Sequence, residues 1–364
     1  MPKVRVLVVE DSVTIRERLR EVLASDPEVE AVAVVGDGKE AIERCAELRP
    51  DVVSLDMILP VMSGLAATEY IMAHCPTPIL IVSSSTNRGE IFKTCDALAA
   101  GAVDVLEKPR GDEPEGEWER KYLRALKLVS RIKVITHLRA RLGPLGWPGS
   151  LGRATPAAPR PAVTLPPTGT VYRVAALGAS TGGPGALVDI LRALPVNLAI
   201  PMFFVLHIDE PFGLAFAEWL DAQTPHRVVY AKEGDSVSGL TGKVVMAPPG
   251  RHLVLRGGRV QLTNDAERHS CRPSIDVLFE SVAREYGAAA IAGLLTGMGR
   301  DGAAGLLEIK RAGGHTMAQD EATSVVYGMP REAVVLGAVD RVLPPADIAL
   351  VIWALANKER GGLR

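Results

Sequence analysis

Five polar side chains follow short apolar segments in the first third of the sequence. Glu10 and Asp11 follow VRVLVV, Asp56 follows VVSL, Ser83 ends ILIVS, and Lys108 follows DVLE. Neighbouring carboxylates repel one another unless a hard cation joins them, and oxygen ligands of this kind suit Mg²⁺. A hydroxyl and an ammonium group beside them would bind phosphoryl oxygens. This set of side chains favours in-line attack by a carboxylate on a phosphoryl group, which would give an aspartyl phosphate.

Three residues in the second half have the side chains of a serine hydrolase. Ser180 lies in GASTGG, His207 ends MFFVLH, and Asp301 lies in LLTGMGRDG. In acyl transfer the Ser180 hydroxyl would attack the acyl carbon, and His207 would accept its proton and later protonate the leaving group. Asp301 would hold the imidazole tautomer and stabilise the imidazolium.

The segment around Ser180 also predicts an oxyanion site. Small residues on both sides allow a substrate carbonyl to approach backbone amides at a helix N-terminus, where negative charge is favoured. The amides near Thr181 and Met298 are the candidate donors. A Ser-Thr-Gly-Gly turn can also be a simple turn or a phosphate cradle, although it lacks the lysine of a P-loop and is not a GxSxG elbow. The residues alone leave these alternatives open.

The elements that must position the first set alternate between strand and helix patterns. The strand-like segments are nearly continuous aliphatic runs, which are typical of strands buried on both faces. Helical patterns separate them, so the sequence predicts a parallel sheet covered on both sides. In such a sheet the carboxyl ends of the strands share the crevice where ligands bind. The five predicted strands are KVRVLVVE, EAVAVV, DVVSLD, PILIVS and VDVLE.

The second half repeats this alternation and predicts a mostly parallel α/β sheet with an antiparallel part. The antiparallel part is the hairpin HLVLR-GG-RVQLT, whose turn is Gly257–Gly258. Residues 143–169 contain seven prolines and five glycines among 27 residues, so they predict a semi-rigid linker. We therefore expect one domain over 1–116, a long helix and the linker over 117–170, and a second domain over 171–360.

Composition argues against nucleic-acid-binding and membrane-spanning proteins. The 364 residues include 41 basic and 43 acidic side chains, and this balance argues against a nucleic-acid partner. No apolar run reaches the ~18 residues of a membrane span, and the first residues lack the pattern of a signal peptide. The four cysteines show no metal-ligand spacing and fit free thiols in a reducing compartment. We expect a cytoplasmic α/β protein without membrane insertion.

Residues 3–116, with the five strand-end groups and the Lys108–Pro109 step, resemble a response-regulator receiver domain of flavodoxin-like fold. The resemblance implies that Asp56 is the phospho-acceptor and that Glu10 and Asp11 hold Mg²⁺ with Asp56. It further implies that the Ile58 carbonyl is a metal ligand, Ser83 the switch hydroxyl and Lys108 the phosphate-binding lysine. Val105 occupies the position where many receivers carry an aromatic switch residue.

Residues 171–355 resemble the catalytic domain of the chemotaxis receptor methylesterase (CheB) family. The motifs that carry the resemblance are GASTGG, the strand-end His207, RPSID, LLTGMGRDGA, AQDEATSVVYGMP and PREAV. It implies the triad Ser180, His207 and Asp301, with the Met298 amide in the oxyanion hole. Three positions depart from the family pattern: Asp209, Glu210 and Cys271. We expect the two carboxylates to stabilise charged His207.

The combined resemblance implies a phosphorylation-activated protein-glutamate methylesterase that releases methanol from chemoreceptor glutamate esters, with glutamine deamidation as a second activity. It implies a chemoreceptor cytoplasmic domain as substrate, a CheA-type histidine kinase as phosphodonor and Mg²⁺ in the receiver, with no cofactor for ester hydrolysis. The unphosphorylated receiver would cover the triad. Two alternatives are a catalytically silent, phospho-dependent docking module and a DNA-binding regulator, for which the second domain offers no basic recognition helix.

Overall fold

The computed structural model describes residues 2–84, 87–109, 114–132, 134 and 170–357. Two parallel sheets organise these residues, and a two-stranded hairpin forms a third. Within this part of the chain, no helix combines the length and apolar character needed to cross a bilayer.

The first sheet has the strand order β2-β1-β3-β4-β5, with every neighbouring pair parallel. This is the flavodoxin-like doubly wound order, whose ligand crevice lies between β1 and β3, where the strand order reverses. The prediction for this half is confirmed. Its elements are β1 (Val4–Val9), α1 (Val13–Ser25), β2 (Val29–Val35), α2 (Gly38–Leu48), β3 (Val52–Leu55), α3 (Gly64–His74), β4 (Ile79–Ser83), α4 (Arg88–Ala99), β5 (Asp104–Glu107) and α5 (Glu117–Val129).

The second sheet has the order β14-β13-β12-β6-β7-β9-β8 and is also parallel throughout. Chain order reverses at β6, which lies between β12 and β7. Its strands are β6 (Val174–Ala179), β7 (Met202–Leu206), β8 (Val228–Tyr230), β9 (Val244–Met246), β12 (Ala290–Leu294), β13 (His315–Gln319) and β14 (Arg341–Leu343). The helices are α6 (Gly183–Ala193), α7 (Phe212–Gln223), α8 (Ile275–Tyr286), α9 (Ala303–Arg311), α10 (Met329–Val335) and α11 (Pro345–Ala356).

The antiparallel part predicted for the second sheet is instead a separate sheet of two strands, β10 (His252–Arg256) and β11 (Arg259–Thr263). Gly257 and Gly258 have φ of 56° and 67°, as a hairpin turn with two left-handed central residues requires. The predicted turn is therefore confirmed, and only its membership in the larger sheet is wrong.

The long helix predicted to follow residue 116 ends earlier than its sequence pattern indicates. Helix α5 ends at Val129, and Ser130 caps it. The Ser130 hydroxyl donates to the Lys127 carbonyl, and the amide of Ile132 donates to the carbonyl of Val129, three residues back. These short-range bonds tighten the last turn and replace the hydrogen bonds that would continue the helix. The remainder of this predicted helix and the predicted linker lie outside the described residues.

The two halves pack together through α4 of the first and helices α6 and α7 of the second. A Cβ placed on Gly185 of α6 would lie 3.2 Å from the Ala99 carbonyl oxygen, so the backbones approach closely. Buried apolar side chains from both halves belong to one continuous cluster. Trp219 of α7 is 1% exposed and donates from Nε1 to Asp96 Oδ1 of α4 at 2.9 Å. This packing determines what lies over the second site.

Candidate functional site

The first site lies at the carboxyl ends of β1, β3 and β5. Lys108 Nζ lies 2.8 Å from Glu10 Oε2 and 2.8 Å from Asp56 Oδ2. Both carboxylates are almost fully buried, at 1% and 4% exposure, whereas Asp11 is exposed. Ser83, at the end of β4, is buried at the same edge of the sheet. The structure therefore brings together the acids, the hydroxyl and the lysine that the sequence predicts there.

Burial and ion pairing compete in setting the charge of this site. Desolvation raises the pKa of Glu10 and of Asp56, and the hydrogen bonds from Lys108 partly offset that rise. Burial lowers the pKa of Lys108, but its hydrogen bonds to the two carboxylates raise it further, so the net direction is upward. The lysine therefore stays charged, and its ammonium group is already directed at the carboxylate that would accept a phosphoryl group.

The backbone around Asp56 is close-packed. Asp56 Oδ1 accepts hydrogen bonds from the amides of Met57 at 2.6 Å and Ile58 at 3.3 Å. A Cβ on Gly64 would lie 2.1 Å from the Asp56 carbonyl oxygen, so only glycine fits where α3 begins. Val61, in the loop between them, has a φ of 64° and is 84% exposed. A β-branched residue is strained in this left-handed conformation.

The donor set at this edge fits a hard divalent cation. Glu10, Asp11 and Asp56 each offer a carboxylate oxygen, and these three atoms lie within 4.8 Å of one another. All three are oxygen ligands, and exposed Asp11 leaves one side open to water, which Mg²⁺ prefers to keep. The amide of Ile58 contacts Asp56; the metal-ligand role of its carbonyl stays a prediction.

The second site begins at the turn between β6 and α6. The Ser180 amide donates to the Thr296 carbonyl at 3.0 Å, and the Gly183 amide donates to the Ser180 carbonyl at 2.7 Å. Gly182 has a φ of 78°, and a Cβ there would lie 2.5 Å from the Val325 side chain. Glycine is therefore required for the tight turn that places Ser180 at the start of the helix. The turn lies at the sheet's reversal point, where α/β proteins bind ligands.

Thr296, which the sequence analysis missed, ties this turn to two other segments. Its hydroxyl donates to the Thr181 carbonyl at 2.9 Å and accepts from the Val326 amide at 3.0 Å. Its own amide donates to Gln319 Oε1 at 2.8 Å. Thr296 is fully buried, so these bonds hold the Ser180 turn, the loop after β12 and the segment before α10 in one arrangement. The only sequence signal was a hydroxyl residue at the end of a buried strand.

His207 and Asp301 form the pair that the sequence predicts. His207 Nε2 lies 2.9 Å from Asp301 Oδ2, and Asp301 is 2% exposed. The Ser274 hydroxyl and the amides of Ile275 and Asp276 donate to the same carboxylate at 2.8, 2.8 and 3.1 Å. Asp301 therefore lies at the N-terminus of α8, where the helix dipole favours its charge. Ser274 also caps α8, and an N-cap residue in RPSID was the available sequence signal.

These contacts move the pKa values of the pair apart. Burial raises the pKa of Asp301, but hydrogen bonds from His207, Ile275 and Ser274 lower it further, so the net direction is downward. Burial lowers the pKa of His207, but hydrogen bonds with Asp301 and Cys271 raise it, to about 9. The carboxylate is charged and orients the imidazole through Nε2. The other ring nitrogen, Nδ1, is left to accept a proton from a nucleophile.

Cys271 contacts that second nitrogen. Its Sγ lies 3.7 Å from His207 Nδ1 and donates to the His269 carbonyl at 3.4 Å. The Ser180 hydroxyl lines the same cavity, but within the described residues it makes no hydrogen bond to His207. Asp301 and Cys271 raise the pKa of His207, and the expected contribution of Asp209 and Glu210 stays a prediction. Asp209 lines the same cavity, and its Oδ2 lies 3.2 Å from Lys121 Nζ of α5.

The backbone around Ser180 leaves amides unpaired. Among hydrogen bonds between described residues, none has the amide of Thr181 or of Met298 as its donor. Gly297 lies between these loops, and a Cβ there would lie 2.7 Å from Ser180 Cβ. The Met298 loop is thus pressed against the nucleophile turn. Two unpaired amides beside a serine hydroxyl can bind the oxyanion of a tetrahedral intermediate.

The first half of the chain covers the entrance to this second site. A cavity of about 340 Å³ lies between the halves. From the first half it is lined by the end of α4 and by β5, including Asp104 and Val105. From the second half it is lined by the Ser180 turn, His207 and the loop carrying Cys271. Ser180 therefore lies in a cavity whose walls come from both halves of the chain.

Each half of the chain is similar to a known protein family. Residues 175–352 match the CheB methylesterase family model, and residues 6–114 match the response regulator receiver domain model. Protein-glutamate methylesterase/protein-glutamine glutaminase 2 of Anaeromyxobacter dehalogenans is 43% identical over 97% of both chains. A protein-glutamate methylesterase/protein-glutamine glutaminase of Nitrosospira multiformis is 42% identical over 98% of both. The crystal structure of the Thermotoga maritima CheB methylesterase catalytic domain is 34% identical over 51% of this chain and 100% of that one, with a TM-score of 0.48.

Proposed function

Because the chain belongs to the CheB methylesterase family, we propose that its Ser180, His207 and Asp301 hydrolyse glutamate methyl esters, and glutamine side-chain amides, of a chemoreceptor cytoplasmic domain. The protein is a protein-glutamate methylesterase and protein-glutamine glutaminase with an N-terminal receiver domain. The observation that carries the residue assignment is the 2.9 Å His207–Asp301 pair, at the same sheet edge as Ser180.

In the acylation step, the Ser180 oxygen attacks the side-chain acyl carbon while His207 Nδ1 accepts the hydroxyl proton. The amides of Thr181 and Met298 stabilise the oxyanion, and an oxyanion donor of this kind lowers the barrier by ~3 kcal/mol. His207 then gives its proton to the leaving group, so an ester releases methanol and an amide releases ammonia. Both substrates leave the same acyl-serine.

In the deacylation step, water attacks the acyl-serine and His207 again accepts a proton. Collapse of the second tetrahedral intermediate returns the proton to Ser180 and leaves a glutamate side chain. Asp301 keeps the imidazole oriented in both steps because the N-terminus of α8 holds its carboxylate. The step uses only side chains, backbone amides and water.

The receiver controls access to this site. We propose that Asp56 accepts a phosphoryl group from a CheA-type histidine kinase, with Mg²⁺ held by Glu10, Asp11 and Asp56. When bound, the cation neutralises the negative charge of the phosphoryl oxygens. Lys108 already contacts Asp56 and would hold a phosphoryl oxygen, with Ser83 as the switch hydroxyl. The phosphorylated receiver would favour a state in which the cavity between the halves is open, which needs a few kcal/mol of differential stability.

The test is methanol release from methylated chemoreceptor cytoplasmic fragments, with and without Mg²⁺ and a small-molecule phosphodonor. We expect slow release without the donor, faster release with it, and no release by S180A under either condition. Phosphorylation of Asp56 in S180A, measured separately, controls for folding. Release that ignores the donor would remove the proposed switch but keep the esterase. Release by S180A equal to wild type would remove Ser180 as nucleophile, and no release by wild type would favour the docking module.

A further inference from the structure

Cys271 is a thiol that the hydrolysis does not use, and it lies in the catalytic cavity. The chain's other three cysteines, Cys45, Cys75 and Cys95, are buried in the receiver, whereas Cys271 is partly exposed. Its Sγ contacts His207 Nδ1, the nitrogen that must accept the Ser180 proton. Anything bound between these two atoms would block the base.

The separation of the two atoms matches one edge of a tetrahedral metal site. Zn²⁺ binds thiolate sulfur at ~2.3 Å and imidazole nitrogen at ~2.0–2.1 Å with near-tetrahedral angles, which places sulfur and nitrogen ~3.6 Å apart. Cys271 Sγ and His207 Nδ1 lie 3.7 Å apart. A zinc ion could therefore bind both atoms with little movement of either side chain.

The other ring nitrogen is already held as in known metal sites. A metal-binding histidine commonly donates its second N–H to a carboxylate, which fixes the ring and makes it a better ligand. His207 Nε2 makes such a bond to Asp301, and three groups at the start of α8 hold that carboxylate in turn. One ligand atom from each of His207, Cys271 and Asp301 lies within 4.8 Å of the others.

We propose that Cys271 and His207 form a binding site for a soft divalent cation, Zn²⁺, which inhibits the esterase by occupying Nδ1 of its general base. The inhibition rests on the proposed function of His207; the binding does not. On binding, the metal replaces the protons of the thiol and of the ring nitrogen, which pass to water. The cavity leaves the remaining coordination positions to water or to the Ser180 hydroxyl.

Other groups among the described residues, including His269 with Asp276 and Asp301, could take up the same metal and must be separated in the test; that group holds no thiolate. The carboxylates of Glu10, Asp11 and Asp56 form a hard oxygen site in the receiver, which gives no thiolate signal. Cys45 and Cys75 place their sulfur atoms 3.9 Å apart, but both are buried inside the receiver. C45A removes a thiol from that pair and is therefore the matched control for C271S.

Binding is measured first, on the full chain, with Co²⁺ as a spectroscopic substitute for Zn²⁺. We expect a thiolate-to-cobalt charge-transfer band in wild type and C45A, removed by Zn²⁺ and absent in C271S. A band that disappears in C45A but persists in C271S would assign the metal to the receiver pair and overturn the proposal. Absence of the band from wild type would overturn it as well. This readout holds even if the proposed esterase activity fails.

Inhibition is measured next, as methanol release without phosphodonor over a range of Zn²⁺ concentrations, each variant against its own rate in a chelator. We expect the Zn²⁺ concentration that halves the rate to rise at least about tenfold in C271S. Mutation of residues that only hold a metal ligand in place already costs ~10- to 100-fold in affinity, and C271S removes a ligand. In C45A the concentration should stay within about twofold of wild type. Equal inhibition of wild type and C271S would show that the metal acts elsewhere and would refute the proposed site.

Discussion

The contact between Asp96 and Trp219 offers the most direct test of the proposed closure of the active site by the receiver. Asp96 lies on α4 of the receiver and Trp219 on α7 of the catalytic domain, with 2.9 Å between Oδ1 and Nε1. Trp219 is 1% exposed, so its N–H can reach no water while the domains are together. D96A removes the acceptor and leaves a buried donor without a partner. In the open state, water replaces the lost acceptor.

The magnitude follows from the cost of that unpaired donor. A buried group that loses its hydrogen-bond partner costs ~1–3 kcal/mol, and here the cost falls on the closed state alone. Part of it is offset, because burial raises the pKa of Asp96 and the substitution also removes a partly desolvated carboxylate. We therefore expect ~1–2 kcal/mol, which increases the ratio of open to closed molecules ~5- to 30-fold. While the open state stays in the minority, unstimulated activity rises by the same factor.

The assay is the rate of methanol release from a methylated receptor fragment without phosphodonor. R88A provides the control at the same helix pair, because Arg88 and Glu218 form an ion pair whose side chains are 74% and 49% exposed. Exposed pairs contribute little, so R88A should change the rate less than about threefold. Phosphorylation of Asp56 is measured in both variants to show that the receiver remains folded.

The reasoning would be refuted by a D96A protein that phosphorylates normally and shows wild-type unstimulated activity. In that case α4 and α7 would stay packed in the active molecule, and the cavity entrance would open by another movement. A rise in both D96A and R88A of equal size would also count against it, since the argument depends on burial rather than on charge.

Three further predictions test separate parts of the molecule. Deletion of residues 1–142 should raise unstimulated ester hydrolysis, and unchanged or lower turnover would exclude inhibition by the receiver. The pKa of His207 is raised to about 9, so its neutral, basic form should grow with pH. The rate of the unphosphorylated protein should rise up to about pH 9. C271A, assayed with chelator, should shift this rise to lower pH, because Cys271 raises the pKa of His207. An unshifted profile would contradict that effect of the sulfur. V61N should increase the free energy of unfolding in urea by ~1 kcal/mol by relieving the left-handed valine, and an unchanged urea midpoint would contradict the inferred strain.

The positions of polar residues directly after buried strands predicted most of both sites. Residues that follow buried parallel strands must meet at one edge of the sheet, which is why Glu10, Asp56 and Lys108 lie within hydrogen-bond distance as predicted. The position of His207 at the end of a strand likewise predicted that it lies near the Ser180 turn. Asp301 was harder to place, because it lies seven residues beyond the end of β12; its Gly-rich surroundings made it a candidate, and the family resemblance completed the assignment.

The features that were missed depend on contacts between distant segments. Ser274 and the amides at the start of α8 reach Asp301 from 25 to 27 residues away, and nothing in their spacing shows that the helix points at the triad. The contact of Cys271 with His207 likewise joins residues 64 positions apart. Helix α5 was predicted too long because an apolar-and-charged pattern continues past Val129, where short-range hydrogen bonds end the helix.

One strand, β5, connects the proposed phosphorylation site to the cavity over Ser180. Lys108 directly follows β5, and its ammonium group contacts Asp56. Three residues earlier on that strand, Val105 lines the cavity over Ser180 and is 8% exposed. A change in how Lys108 is held can therefore reach the interface through a single short element, without an aromatic side chain that swings between two positions. Since Val105 offers only a small apolar contact, most of the closing free energy must come from the apolar packing of α4 against α6 and α7, to which the buried Trp219–Asp96 bond adds.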